Sequence, residues 1–138
     1  MELTSTLTFK DQGNIGEAAA IYWYTSQGYV VSKPLTENQP YDLIIEGDEL
    51  LRISVKTTRY RTPSGGWKPM LRTAGGNQSF YSAKPFNHER VDRLFVVCGD
   101  GAWYDIPTSA FKDKSFITLG SPQSKLEDYL VKPAGQGL

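Results

Sequence analysis

The chain has 138 residues, 39% of them hydrophobic and 22% charged, with 15 basic and 15 acidic side chains. That is enough apolar material for one domain with its own core, which excludes a disordered chain. A single cysteine excludes a disulfide framework, no CxxC or HxxxH spacing points to structural zinc, and no apolar run is long enough to span a membrane.

The N-terminal stretch MELTSTLTFK has neither a basic n-region nor an apolar h-region, so the expectation is a cytoplasmic protein without a signal peptide. Residues 1–10 are expected to form an arm or lead-in strand. Residues 11–27 read as a helix, with Asp11 or Asn14 as its cap and Gly28 as its stop. Ile15, Ala18, Ala19 and Tyr22 share one apolar face, and Ala20, Ile21 and Tyr24 make the opposite face apolar too. Glu17 sits within that second face, an unusual place for a carboxylate.

Tyr29 to Ser32 is a short predicted strand, and Lys33 to Pro40, with two prolines, is a loop. Tyr41 to Ile45 and Leu50 to Thr58 form a predicted hairpin around Glu46-Gly47-Asp48-Glu49. Residues 60–77 are rich in glycine and proline and read as a long loop with a short strand at Lys68–Thr73. Arg93 to Cys98 and Trp103 to Ile106 pair across an Asp100-Gly101 turn. Residues 107–112 are expected to be a short helix opened by Pro107, Phe116–Leu119 a last strand, and 123–131 a second short helix before a loose tail. The order predicts a single α/β (α+β-like) domain over 1–138, a mixed central sheet flanked by helices, with 120–138 as a C-terminal extension.

The zero net charge conceals an uneven distribution. Between Lys56 and Arg90 there are seven basic residues and one acid, Glu89, so this segment carries +6 and the rest of the chain −6. Such a basic middle can hold a polyanion although the total is balanced.

Alternation along a strand puts Arg52, Ser54, Lys56 and Thr58 on one face, and Asp42 with Ile44 on one face of the partner strand. A suitable register sets Asp42 beside Ser54 and Lys56, and the upstream helix can bring Glu17 over the same edge. Two carboxylates, a lysine and a basic loop suit a metal-dependent phosphodiesterase. Periodicity alone equally describes a solvated sheet face.

The segments GNIGEAAA, QGYVVSKPLTENQPYDLII and LRISVKTTR resemble the PD-(D/E)xK nuclease core. More closely they resemble the group I intron-associated PD-(D/E)xK homing endonucleases, related in fold to archaeal Holliday junction resolvases. NHERVDRLFVV and WYDIP resemble the closing strands of that family. The resemblance implies a restriction-endonuclease-like fold. It assigns Asp42 and Glu17 to metal binding together with the Val55 carbonyl, and Lys56 to the catalytic lysine. Ser54 departs from the usual Glu or Asp at its position, and from the Gln of the intron-associated group. A serine is too short to reach a metal readily, and can hold a water instead. The implied cofactor is Mg²⁺, with Mn²⁺ as a substitute. The implied partners are double-stranded or branched DNA and further copies of the chain, as a homodimer or homotetramer.

Arg59, Arg61, Lys68, Arg72 and Arg90 are expected DNA contacts, with Arg93 as an alternative to Arg90. Asn77 and Gln78 are expected base readers or turn residues. Trp67 is expected to staple its loop to the body, His88 to lie on the surface, Cys98 to be a buried small hydrophobe, and Trp103 and Tyr104 to alternate between core and surface. The leading expectation is a Mg²⁺-dependent DNA endonuclease, possessing a homing or junction-resolving role. Its rivals are a DNA-binding module with a degenerate site, motivated by Ser54, and a protein-interaction domain.

Overall fold

The computed structural model describes residues 2–4, 6–72, 85–112 and 114–136. Helix α1 spans Phe9–Ser26. Its cap is Thr8: the Thr8 hydroxyl accepts from the Asp11 backbone N–H at 3.0 Å, and the Asp11 carboxylate accepts from the Thr8 N–H. Asp11 is thus the third residue of a reciprocal capping box rather than the cap itself. The buried stripe is Gln12, Gly16, Ala19, Ala20 and Tyr24. It runs between the two apolar faces expected from the sequence, and leaves Ile21 and Tyr22 exposed.

Strands β1 (Val30–Ser32), β2 (Leu43–Glu46), β3 (Leu50–Thr58), β4 (Arg93–Cys98), β5 (Trp103–Pro107) and β6 (Leu130–Lys132) form one sheet in sequential order. Only β3 and β4 are parallel. The expected mixed sheet is therefore present, with one α-helix among the described residues. β3 matches its predicted bounds. Gly101, at φ 90°, makes the β4–β5 turn that the Asp-Gly pair announced.

Both sheet faces are covered. Ala20 and Tyr24 of α1 pack with Leu43, Ile45, Ile53, Phe95, Val97 and Trp103. On the other face Trp67 and Leu71 pack with Leu94, Val96, Cys98, Tyr104, Phe111 and Leu119. This explains the unbroken apolar run of β4, whose successive side chains enter opposite cores. It also buries Trp103 and Tyr104 at 1% and 2% exposure, where alternation of core and surface was expected.

A parallel pair needs a crossover, usually a helix. Here the crossover contains the irregular segment 59–72, pinned by Trp67. The Trp67 backbone exchanges hydrogen bonds with Leu119 at 2.7 and 2.8 Å, and its side chain is buried. The expected staple is present. Residues 68–72 form no strand, and Phe116–Leu119 contributes only the bridge to Trp67. Thr108–Phe111 is a 3₁₀ turn with Pro107 as its cap. The region read as a second short helix is a 3₁₀ turn at Glu127–Tyr129 running into β6, so the last strand of the sheet takes the end of the expected helix and the first residue of the expected tail. Residues 2–4 and 6–8 form no strand, but Leu3 is buried and its N–H donates to Gly99 O.

Gly16 sets the helix-to-sheet distance. A Cβ there would lie 2.5 Å from Thr57 Cγ2 and 3.4 Å from Val55 Cγ1. Gly16→Ala is expected to lower stability by about 1 kcal/mol, because overpacking against a stiff β-branched side chain outweighs the helix propensity gained. In a Thr57→Ser background, which removes Cγ2, the same change should instead stabilise. Urea denaturation of the four proteins checks the reversal of sign.

Candidate active site

The pairing of β2 with β3 ends at Leu43 opposite Ile53, and the Asp42 N–H still donates to Ile53 O at 2.8 Å. Beyond that point β3 continues without β2 beside it. The Val55 N–H would have no strand partner on this edge, and the Asp42 carboxylate takes that place, accepting it at 2.7 Å. Side chain and strand edge are thereby locked together. The N–H and C=O of one strand residue point to the same side, so the Val55 carbonyl also faces this open edge.

Extending the β2–β3 register by one residue sets Asp42 against Ser54, with Lys56 two residues further on the same face of β3. Ser54 is buried at 2% exposure. Glu17, from the middle of α1, is ion-paired with Lys33, which follows β1. The Lys33 ammonium is held in its charged form chiefly by its hydrogen bond to Glu17.

The electrostatics tie these groups into one cluster. Desolvation raises the Asp42 pKa above the ordinary carboxylate value, and the nearby Glu17 pushes in the same direction. The Val55 N–H, Lys56 and Lys33 oppose the shift without cancelling it. Lys56 is shifted the other way: desolvation lowers its pKa, with Asp42 opposing. A half-buried carboxylate and a half-buried ammonium therefore face each other, each carrying more desolvation cost than the other offsets.

A desolvated carboxylate beside a second carboxylate fits a hard divalent cation. Such a cation takes one or two carboxylates and completes its shell with water and phosphate oxygens. Among the described residues no group of three or more His, Cys, Asp or Glu side chains surrounds one point. Asp42, Glu17 and the Val55 carbonyl could supply oxygen donors to such an ion.

A profile of the PD-(D/E)XK endonuclease family matches residues 7–128. The chain belongs to the PD-(D/E)XK endonuclease family. The fold is similar to that of a bacterial homing endonuclease, I-Ssp6803I, with a TM-score of 0.67 and 21% identity over 89% of this chain and 87% of the other. No curated protein sequence matches the chain.

The basic residues of this PD-(D/E)XK chain are less free than their sequence suggests. Arg59 donates to Thr4 O at 2.6 Å, and Arg61 donates to Gly65 O while stacking 4.1 Å from the Trp67 ring. Lys68 lies 4.5 Å from the Phe116 ring, and Arg90 donates to Gln39 and sits over Tyr41. Arg72 is exposed. Arg93 is committed to the fold. It donates to Asp105 at 2.9 Å, and Tyr24 donates to the same carboxylate oxygen at 2.7 Å, beneath α1. The guanidinium expected as an alternative DNA contact is thus already paired within the fold, with 30% of its side chain exposed. His88 is also not a free surface group: its ring packs against both Phe86 and Phe111, and Nε2 lies 3.1 Å from Phe111 O. Cys98 is fully buried, and desolvation raises its pKa, so its thiol is unreactive. Asn77 and Gln78 fall outside the described residues. The residue that sequence reasoning missed is Lys33, whose only signal was the Lys-Pro pair after β1.

Proposed function

We propose that the protein is a Mg²⁺-dependent endonuclease that hydrolyses phosphodiester bonds in double-stranded DNA, in a homing-type role. The observation that carries this reading is the Asp42 carboxylate fixed on the Val55 N–H, beside Lys56, where β2 leaves β3. When bound there, a divalent cation supplies Lewis acidity at the scissile phosphate. Asp42, Glu17 and the Val55 carbonyl would hold it. Lys56 positions the attacking water and faces the negative charge that develops on the phosphate. The water oxygen bonds to phosphorus in line as the P–O3′ bond breaks, one water proton passing to solvent and the leaving 3′-oxygen taking one up from it, and Ser54 holds a water within the site. Arg59, Arg61, Lys68, Arg72 and Arg90 supply positive charge toward the duplex, and Asn77 reads bases.

The unit that cuts both strands is a homodimer or homotetramer, since two-fold symmetry matches that of duplex DNA. No helix among the described residues is long and apolar enough to cross a membrane. A structure-selective, junction-resolving activity is the second enzymatic reading. A DNA-binding module is favoured by one observation, the buried, uncharged Ser54.

Incubation with mixed plasmid and branched DNA in Mg²⁺ or Mn²⁺ tests the proposal. Cleavage that EDTA stops and metal restores is expected. Preference for four-way junctions over linear duplex would select junction resolution. A chain that binds DNA but cuts only after Ser54→Glu would establish the degenerate module.

A further inference from the structure

A hollow of about 1210 Å³ opens at the C-terminal end of β3. It begins at Thr57 and Thr58, so Thr58 lies about 7 Å along the strand from Lys56. The hollow is larger than the roughly 300–1,000 Å³ of sites for one small molecule. Three largely exposed aromatic side chains border it, Phe9 at 87% exposure, Tyr60 at 66% and Phe116 at 57%; the Lys68 ammonium already lies 4.5 Å from the Phe116 ring and the Arg59 guanidinium 6.0 Å from the Phe9 ring, whereas Tyr60 has no such cation over it among the described contacts. Exposed apolar groups scattered singly are ordinary, but three gathered on one concave surface are not. The charged residues lining the hollow are Arg59, Lys68 and Arg72, and no carboxylate is among its described lining residues.

The occupant must therefore be anionic and must also offer flat apolar faces. Duplex DNA presents phosphates but keeps its base faces stacked inside. Unpaired nucleotides present both, and aromatic side chains among cations are the usual means of holding them. Resting on the nuclease reading above, we infer that this hollow binds unpaired nucleotides of the DNA beside the cleavage site, with Tyr60 and Phe116 stacking on bases and Arg59, Lys68 and Arg72 facing phosphates. The protein then favours DNA that carries an unpaired stretch next to the bond to be cut.

Binding is measured in EDTA, so that cleavage plays no part. Three probes are compared by fluorescence anisotropy: a duplex, the same duplex with a short unpaired gap, and the single strand. A fluorescent aminopurine in the gap reports stacking. The native chain is expected to prefer the gapped duplex to the intact one by at least about fivefold, with quenching of the aminopurine. Tyr60→Ala and Phe116→Ala should each remove most of that preference and the quenching, while leaving intact-duplex binding unchanged. Both side chains are largely exposed, so neither change opens the core, and Tyr60→Phe should retain the preference. Equal affinity for gapped and intact duplex overturns the inference. So do variants that weaken both probes alike, which would mean a general phosphate surface, and variants that tighten binding, which would mean that another part of the chain occupies the hollow. Absence of binding to any DNA would overturn the nuclease reading along with it.

Discussion

Asp42→Asn is expected to abolish cleavage and, in metal-free buffer, to make the protein more stable. The reason lies in the direction of the Asp42 shift. Its pKa is raised in the fold, so the folded protein binds the Asp42 proton more tightly than the unfolded chain does. The protonated form is the one that the fold favours. Its stabilising contribution is complete below pH 3.8, the ordinary value, and is lost as the pH rises through the folded pKa. At neutral pH the ionised carboxylate is a net cost, even with Lys56 and Lys33 nearby. Asparagine mimics the neutral acid, and its Oδ1 can still accept the Val55 N–H. A gain of about 1 kcal/mol is expected, the size of a typical stability–activity trade-off. Urea denaturation in EDTA from pH 3 to 8 checks it. The difference between the two proteins should widen as the pH rises through the folded Asp42 pKa and then stay constant. Under the proposed function, added Mg²⁺ stabilises the native chain but not the variant. A variant less stable than the native chain at neutral pH would mean that the Asp42–Lys56 attraction outweighs desolvation, contrary to the site described here.

Lys56→Met is expected to lower the cleavage rate by roughly a thousandfold, the usual loss on removing a group that acts on the developing charge or the attacking water. Methionine keeps the length and the packing of the stem while removing the charge. Lys56 also shows the same physics with the opposite sign of titration. Its pKa is lowered from 10.5, so the charged form costs the fold at neutral pH. That cost disappears between the folded pKa and the ordinary value of 10.5, and native stability should climb over that window. Lys56→Met should remove the climb. The two variants should not be additive. Each single change removes one desolvation cost and also the attraction between the pair, whereas the double variant loses that attraction only once. Asp42→Asn with Lys56→Met should therefore be more stable than the sum of the single effects, and the excess measures the attraction directly. Single-turnover cleavage of the single variants, at saturating DNA, separates a loss of chemistry from a loss of binding.

Parts of this molecule can be read directly from the chain because they are local. The nine residues of β3 carry their alternation in the sequence, the Asp-Gly turn needs only one glycine at positive φ, and the breaks at Gly28 and Pro107 are steric. The face shared by Asp42, Ser54 and Lys56 follows from a period of two and a hairpin register. The family resemblance added roles to positions that periodicity had only grouped.

Other features were not legible because they depend on what covers what. The stripe of α1 that packs inward could not be chosen from two apolar faces. Gly16 chose it, since only there can the helix approach Thr57 and Val55. Trp103 and Tyr104 look like one core and one surface residue until the crossover supplies a second core above β5. β6 has three residues, too few for a pattern, and exists through pairing with β5. Arg93 and Arg72 are the same kind of residue in the sequence. One is spent on Asp105 and Tyr24 beneath the helix, and the other remains exposed. The sequence by itself determined the strand faces, the turns and the set of chemically able residues, because these follow from backbone sterics and short periods. Tertiary structure alone decided the directions in which the pKa values of Asp42 and Lys56 are shifted, the pairing of Glu17 with Lys33 and the gathering of aromatic and basic groups into one hollow, because desolvation and Coulomb energy depend on distances between segments far apart in the chain.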